Sequence, residues 1–172
     1  MASKVSQSRG GKKLKIVTRL AACAAALALA GAAQAADYVS IVQETDLNVP
    51  AETAWNKLKG YCDIGKWLNT TCEITSGTDG ELGAVRKIAG RVEEVIVART
   101  PLSYTYADPN QPILYHGTVE VRPVSATASK LVYSLFYDQT TIPEANRAAN
   151  RDGRAKMFAN VMQTMKGVAE AK

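Results

Sequence analysis

The chain has 172 residues, 47% of them apolar and 22% charged, with a net charge of +5. That composition is globular and of single-domain size, which excludes a disordered or fibrous chain. Six of the 21 basic residues, Lys4, Arg9, Lys12, Lys13, Lys15 and Arg19, stand in the first 35 positions with no acid among them, leaving 15 bases against 16 acids in the rest. The basic excess belongs to the N-terminal stretch, so nucleic acid is not an expected partner.

Behind Arg19 runs the apolar segment LAACAAALALAG of residues 20–31, followed by Ala33-Gln34-Ala35 and then Ala36-Asp37. A basic start, a short apolar run and an A-x-A site make a secretory signal peptide over residues 1–35, cut between Ala35 and Ala36. A transmembrane helix needs about 20 apolar residues, so no stable membrane anchor is expected. Cys23 opens the apolar run instead of following it, which argues against lipidation. The expected location is the periplasm or the exterior, and the expected mature part is a single domain over residues 36–172. Its cysteines, Cys62 and Cys72, are either bridged in that oxidising compartment or remain two separate buried thiols. With one histidine, His116, and no C-x-x-C, no metal site is expected, and no cofactor is called for.

Residues 38–46, YVSIVQETD, have strand composition. Pro50 and Glu52 then signal a short helix with Trp55 and Leu58 on one face. After Gly60, residues 61–68 read as a second short helix or turn. Alternation takes over at 71–75 and recurs at 84–88, 91–98, 102–106, 113–122 and 130–138, with Gly and Pro punctuation between the segments. The turn Gly77-Thr78-Asp79-Gly80 lacks phosphate-loop spacing and reads as a plain hairpin. Beyond Pro143 the pattern is helical to the end. Phe158, Val161, Met162, Met165, Val168 and Ala169 form one stripe, with Arg147, Arg151, Arg154 and Lys156 mostly turned elsewhere. Gly153 costs about 1 kcal/mol relative to alanine, which puts the firm start of that helix near Asp152. A single curved antiparallel sheet needs a cover, and this helix is the only segment long enough, so the class is α+β.

Along this order of elements stand Pro50-Ala51-Glu52-Thr53-Ala54-Trp55, Gly83-Ala84-Val85-Arg86, Glu93-Glu94-Val95, Tyr115 with Gly117-Thr118-Val119, and the helix RAKMFANVMQTMKGVAEAK at the end. In that order these residues resemble the helix-grip superfamily of START-related lipid-transfer and bacterial polyketide cyclase/dehydrase-like proteins, to which the plant abscisic-acid receptors also belong. The resemblance implies a helix-grip fold: about seven curved strands wrapped around a long C-terminal helix, with two short helices after the first strand. It also implies a cavity between sheet and helix for an apolar or amphipathic small molecule. The receptors' Ser-Gly-Leu-Pro gate and His-Arg-Leu latch are replaced here by Ile88-Ala89-Gly90-Arg91 and Gln111-Pro112-Ile113-Leu114, so the hormone-receptor role is not implied.

Alternation places Tyr115, Gly117, Val119 and Val121 on the cavity face and His116 toward solvent. Leu102, Tyr104 and Tyr106 also point inward, as do Leu131, Tyr133, Leu135 and Tyr137. Seven tyrosines against two phenylalanines suit a ligand with a few polar atoms, or else the hydroxyls reach a wet rim. Pairing Ile88 with Arg91 across the Ala89-Gly90 turn sets Arg86 opposite Glu93. In the cavity wall such a pair would anchor a polar group, supply a proton through Glu93, or simply brace the strands. A slip of one residue would bring Glu94 inward instead. Phe158, Met162 and Met165, with Met157, offer an adaptable apolar lid or plain core. Trp67 belongs at the entrance or in the packing. No Ser/His/Asp or Cys/His arrangement can be assembled around an outward histidine. The leading expectation is an exported binding protein. The alternatives are a cyclase/dehydratase using Glu93 and Tyr115, and an envelope structural protein whose cavity is filled.

Overall fold

Pleated strands of alternating exposure dominate residues 35–172, the part of the chain that the computed structural model describes. The expected signal peptide, apart from Ala35, lies outside these residues. The elements are β1 (Tyr38–Leu47), α1 (Ala51–Leu58), a 3-10 turn (Tyr61–Asp63), α2 (Ile64–Trp67), β2 (Cys72–Ser76), β3 (Val85–Ile88), β4 (Val92–Thr100), β5 (Ser103–Ala107), β6 (His116–Pro123), β7 (Ser129–Asp138) and α3 (Glu144–Glu170). The seven strands form one antiparallel sheet in the order β1-β7-β6-β5-β4-β3-β2. Register shifts interrupt β2 between Ile74 and Ser76 and β4 between Ile96 and Ala98. An extra residue bends and twists a strand, which helps the sheet curl around its cover.

That cover is α3. Lys166 donates to Asp46 O at 2.6 Å and Asn48 N donates to Glu170 Oε1 at 2.8 Å, pinning its C-terminal end to the exit of β1. At the other end Arg147 bonds Ile142 O at 3.0 Å and pairs with Asp37 at 3.2 Å. The helix therefore begins at Glu144, not near Asp152. Pro143 precedes its first turn and accepts from Asn146 N at 2.8 Å, Arg147 clamps it, and Gly153 lies exposed with open space around it, so the glycine weakens the helix without ending it.

The concave face follows the alternation closely. Tyr104, Tyr106, Val119, Val121, Leu131, Tyr133, Leu135 and Tyr137 are all buried there, and they meet Phe158, Val161, Met162 and Met165 of α3. Trp55 and Trp67 are both packed. His116 lies half-buried on the opposite face, its Nδ1 2.7 Å from Leu114 O.

The turn between β3 and β4 differs from the expectation. Arg91 N donates to Ile88 O at 3.1 Å, yet the ladder resumes as Ile88 with Val92, Lys87 with Glu93 and Arg86 with Glu94. The loop holds three residues, not two, with Ala89 and Gly90 both at positive φ. One extra residue moves every side chain of β4 to the other face. Glu93 thus pairs with Lys87 at 3.0 Å, part-exposed outside the concave surface, and Glu94 takes the inward place.

Cys62 and Cys72 form a disulfide with Cα atoms 5.4 Å apart, joining the 3-10 turn to the start of β2. Replacing both by serine is expected to cost about 2–3 kcal/mol, because the open chain regains the entropy of a short loop. Urea unfolding of the oxidised protein and the double variant checks this; equal midpoints would show that the bridge adds nothing.

Candidate functional site

Arg86 stands at the centre of the site with no accessible surface. Its Nε and Nη2 both donate to Glu94 Oε2, at 2.8 and 2.6 Å, and Nη1 donates to the backbone oxygen of Tyr61. The guanidinium also lies 4.0 Å from the centre of the Tyr61 ring and 4.6 Å from that of Tyr106. A buried guanidinium needs an anion and acceptors, and aromatic faces add to its stabilisation. Tyr61 is carried by the turn that the disulfide fastens, and Asp79 Oδ1 accepts its backbone N–H at 2.9 Å. The local fold thus places a clamp over the ion pair.

Both Arg86 donors use a single oxygen of Glu94, and no protein donor among the described residues reaches the other, Oε1. Burial pushes the Glu94 carboxyl above the usual carboxylate range, with the Arg86 charge opposing. Burial likewise raises the phenols of Tyr106, Tyr115 and Tyr133, which therefore remain protonated donors. Tyr106 and Tyr133 satisfy each other, hydroxyl to hydroxyl, at 2.7 Å.

A cavity of about 440 Å³ opens beside this group, between the sheet and α3. Arg86, Glu94 and Tyr106 form its inner wall, Ile64, Leu68, Ile88 and Val92 give one apolar side, and Met157 and Phe158 of α3 give the other. Tyr115, Arg91 and Arg154 also line it. Its size falls within the range of small-molecule sites, and a few polar groups among apolar ones is the usual plan of such sites.

Of the expected site residues, Arg86, Tyr106, Tyr115 and Phe158 line this cavity, and Tyr133 stands behind Tyr106. Met162 and Met165 are core beneath the helix. Tyr104 borders a second space of about 320 Å³ with Trp55, Lys59 and Asp79. The hydroxyls of Tyr61, Tyr104 and Tyr137 are buried without a hydrogen-bond partner among the described residues.

Arg154 is the residue that pattern reading missed. It stands four positions before Phe158, on the same face of α3, and its guanidinium lies 5.3 Å from the Tyr115 ring centre and 4.9 Å from that of Tyr137. The i, i+4 spacing was the available signal, hidden by counting a charged residue as outward.

A curved antiparallel sheet gripping a long terminal helix, with a ligand-sized space between them, defines the helix-grip class. Residues 38–170 match the family described as polyketide cyclase / dehydrase and lipid transport, and the chain belongs to that family. Comparison with curated proteins gives no match. Among solved structures, norcoclaurine synthase from Thalictrum flavum is similar at 12% identity and a TM-score of 0.63, over 81% of this chain and 98% of that one. A protein from Thermobifida fusca is similar at 18% and 0.59, over 76% and 92%. Ara h 8.0201 is similar at 18% and 0.57, over 79% and 100%. At these identities the likeness is one of fold.

Proposed function

We propose that the protein is an exported, periplasmic binding protein that holds a small apolar or amphipathic molecule between the sheet and α3. The observation that carries this reading is the cavity of about 440 Å³, apolar on two sides and ending on the buried Arg86–Glu94 pair. Membership of a family described by lipid transport as well as cyclase and dehydrase supports it. The Cys62–Cys72 bridge fits an oxidising compartment, and no helix among the described residues is long and apolar enough to cross a membrane. A core filled by its own side chains fits poorly with a space of this size.

Native mass spectrometry of the protein from exporting cells tests the proposal. A stoichiometric small molecule released on denaturation is the expected result. An apo mass, combined with no binding of the neutral fluorophore N-phenylnaphthylamine, would overturn it.

A second reading, as an enzyme, has one observation in its favour. Glu93 faces away from the cavity, but Glu94 has a free oxygen and a carboxyl raised by burial, as a proton carrier requires. Turnover of a polyketide-like substrate that is lost in Glu94→Gln would establish that activity.

A further inference from the structure

We propose that the ligand of this cavity is an amphipathic carboxylic acid, with its carboxylate held by Arg154 at the rim and its apolar body between Met157, Phe158, Ile88 and Val92. The inference rests on the binding reading above and specifies the chemistry of that site.

Three arginines line the cavity, Arg86, Arg91 and Arg154, against one carboxylate, Glu94. Arg86 and Glu94 are committed to each other. Neither Arg91 nor Arg154 has an acidic partner among the described residues, so the cavity carries an uncompensated positive charge. Arg91 is exposed and stands in solvent. Arg154 is half-buried and held in place. Its Nε donates to Asn150 Oδ1 at 3.0 Å, and its guanidinium carbon lies over the rings of Tyr115 and Tyr137. Neither Nη1 nor Nη2 is used by an acceptor among the described residues, which leaves a pair of donors free. Such a fork matches a carboxylate with two parallel hydrogen bonds. The Asn150 bond and the two rings already restrict the side chain, so less freedom is lost when an anion docks.

Nearby apolar walls strengthen the attraction by lowering the local dielectric. A polar head at the rim also suits the layout, since on the inner wall Arg86 is already committed to Glu94 and Tyr106 to Tyr133, and the unpaired Glu94 oxygen would repel a carboxylate. The volume corresponds to about fifteen water-sized groups, the bulk of a medium-chain or bicyclic aromatic acid.

The test compares each acid with its uncharged counterpart, decanoate with 1-decanol and 2-naphthoate with 2-naphthol, by displacement of N-phenylnaphthylamine from the full chain at low salt. The acid of at least one pair should bind about tenfold more tightly than its alcohol or phenol, as expected for a charge-assisted pair. The better pair tells whether the body is aliphatic or aromatic. In Arg154→Gln the acid should fall to the level of its neutral partner, with the neutral partner unchanged. Equal binding within both pairs of the wild-type protein would overturn the proposal and leave the binding reading standing, and that comparison does not depend on any variant folding. A preference retained in Arg154→Gln would also overturn it. If neither the fluorophore nor any of the four compounds binds, the binding reading itself falls.

Discussion

Glu94→Leu is expected to destabilise the protein by about 3–5 kcal/mol, the usual cost of leaving a buried charge without its partner. Arg86 has no accessible surface, and two of its donors end on Glu94 Oε2, so leucine would strand the guanidinium with only the Tyr61 carbonyl and two aromatic faces. For a domain of this size that loss lowers Tm by about 10–15 °C. The double variant Arg86→Met/Glu94→Leu removes the charge together with its partner and should recover most of the loss, because apolar residues of similar volume often replace a buried ion pair at little cost. Thermal melts of the two single variants and the double close the cycle. A loss below about 1 kcal/mol in Glu94→Leu, or a double variant as unstable as the sum of the singles, would show that the pair is not the coupled unit described here.

Gly117→Val is expected to cost about 3 kcal/mol, the upper part of the range for overpacking a full core. Gly117 pairs with Tyr106 across β5 and β6, and any Cβ at 117 would overlap the Tyr106 ring. That ring cannot move freely. It is buried, its hydroxyl bonds Tyr133, and its face covers Arg86. The added methyl groups should therefore displace the inner wall of the cavity, so Gly117→Val should also lose N-phenylnaphthylamine binding at temperatures where it remains folded. Chemical denaturation and a fluorescence titration measure the two effects. Wild-type stability with wild-type affinity would mean that Tyr106 has a second resting place.

Most of the fold is legible in the residues because its signals are local. Period-two alternation along β6 and β7 marks Val119, Val121, Leu131, Tyr133, Leu135 and Tyr137 as inward, and all are buried. The 3.6-residue stripe of α3 marks Phe158, Val161, Met162 and Met165 equally well. What stayed hidden depends on single residues. Whether the loop after Ile88 holds two residues or three decides between Glu93 and Glu94, and the text Ile88-Ala89-Gly90-Arg91-Val92 allows either count. Arg154 reads as a surface cation because the pattern cannot show that Tyr115 and Tyr137 come together beneath it. Tyr61 lies outside every alternating segment, and only the tertiary path of the disulfide-fastened turn brings it over Arg86.

The claim that a small molecule is held in the space between the sheet and α3 can be checked by mapping the position of a bound probe with amide NMR. On titration with N-phenylnaphthylamine, shifts should concentrate at Ile64, Leu68, Ile88, Val92, Met157 and Phe158, the apolar walls of the cavity. Shifts confined instead to the convex face, where Tyr38, Val42 and Phe136 are exposed, would contradict the claim, as would a spectrum that does not change at saturating probe.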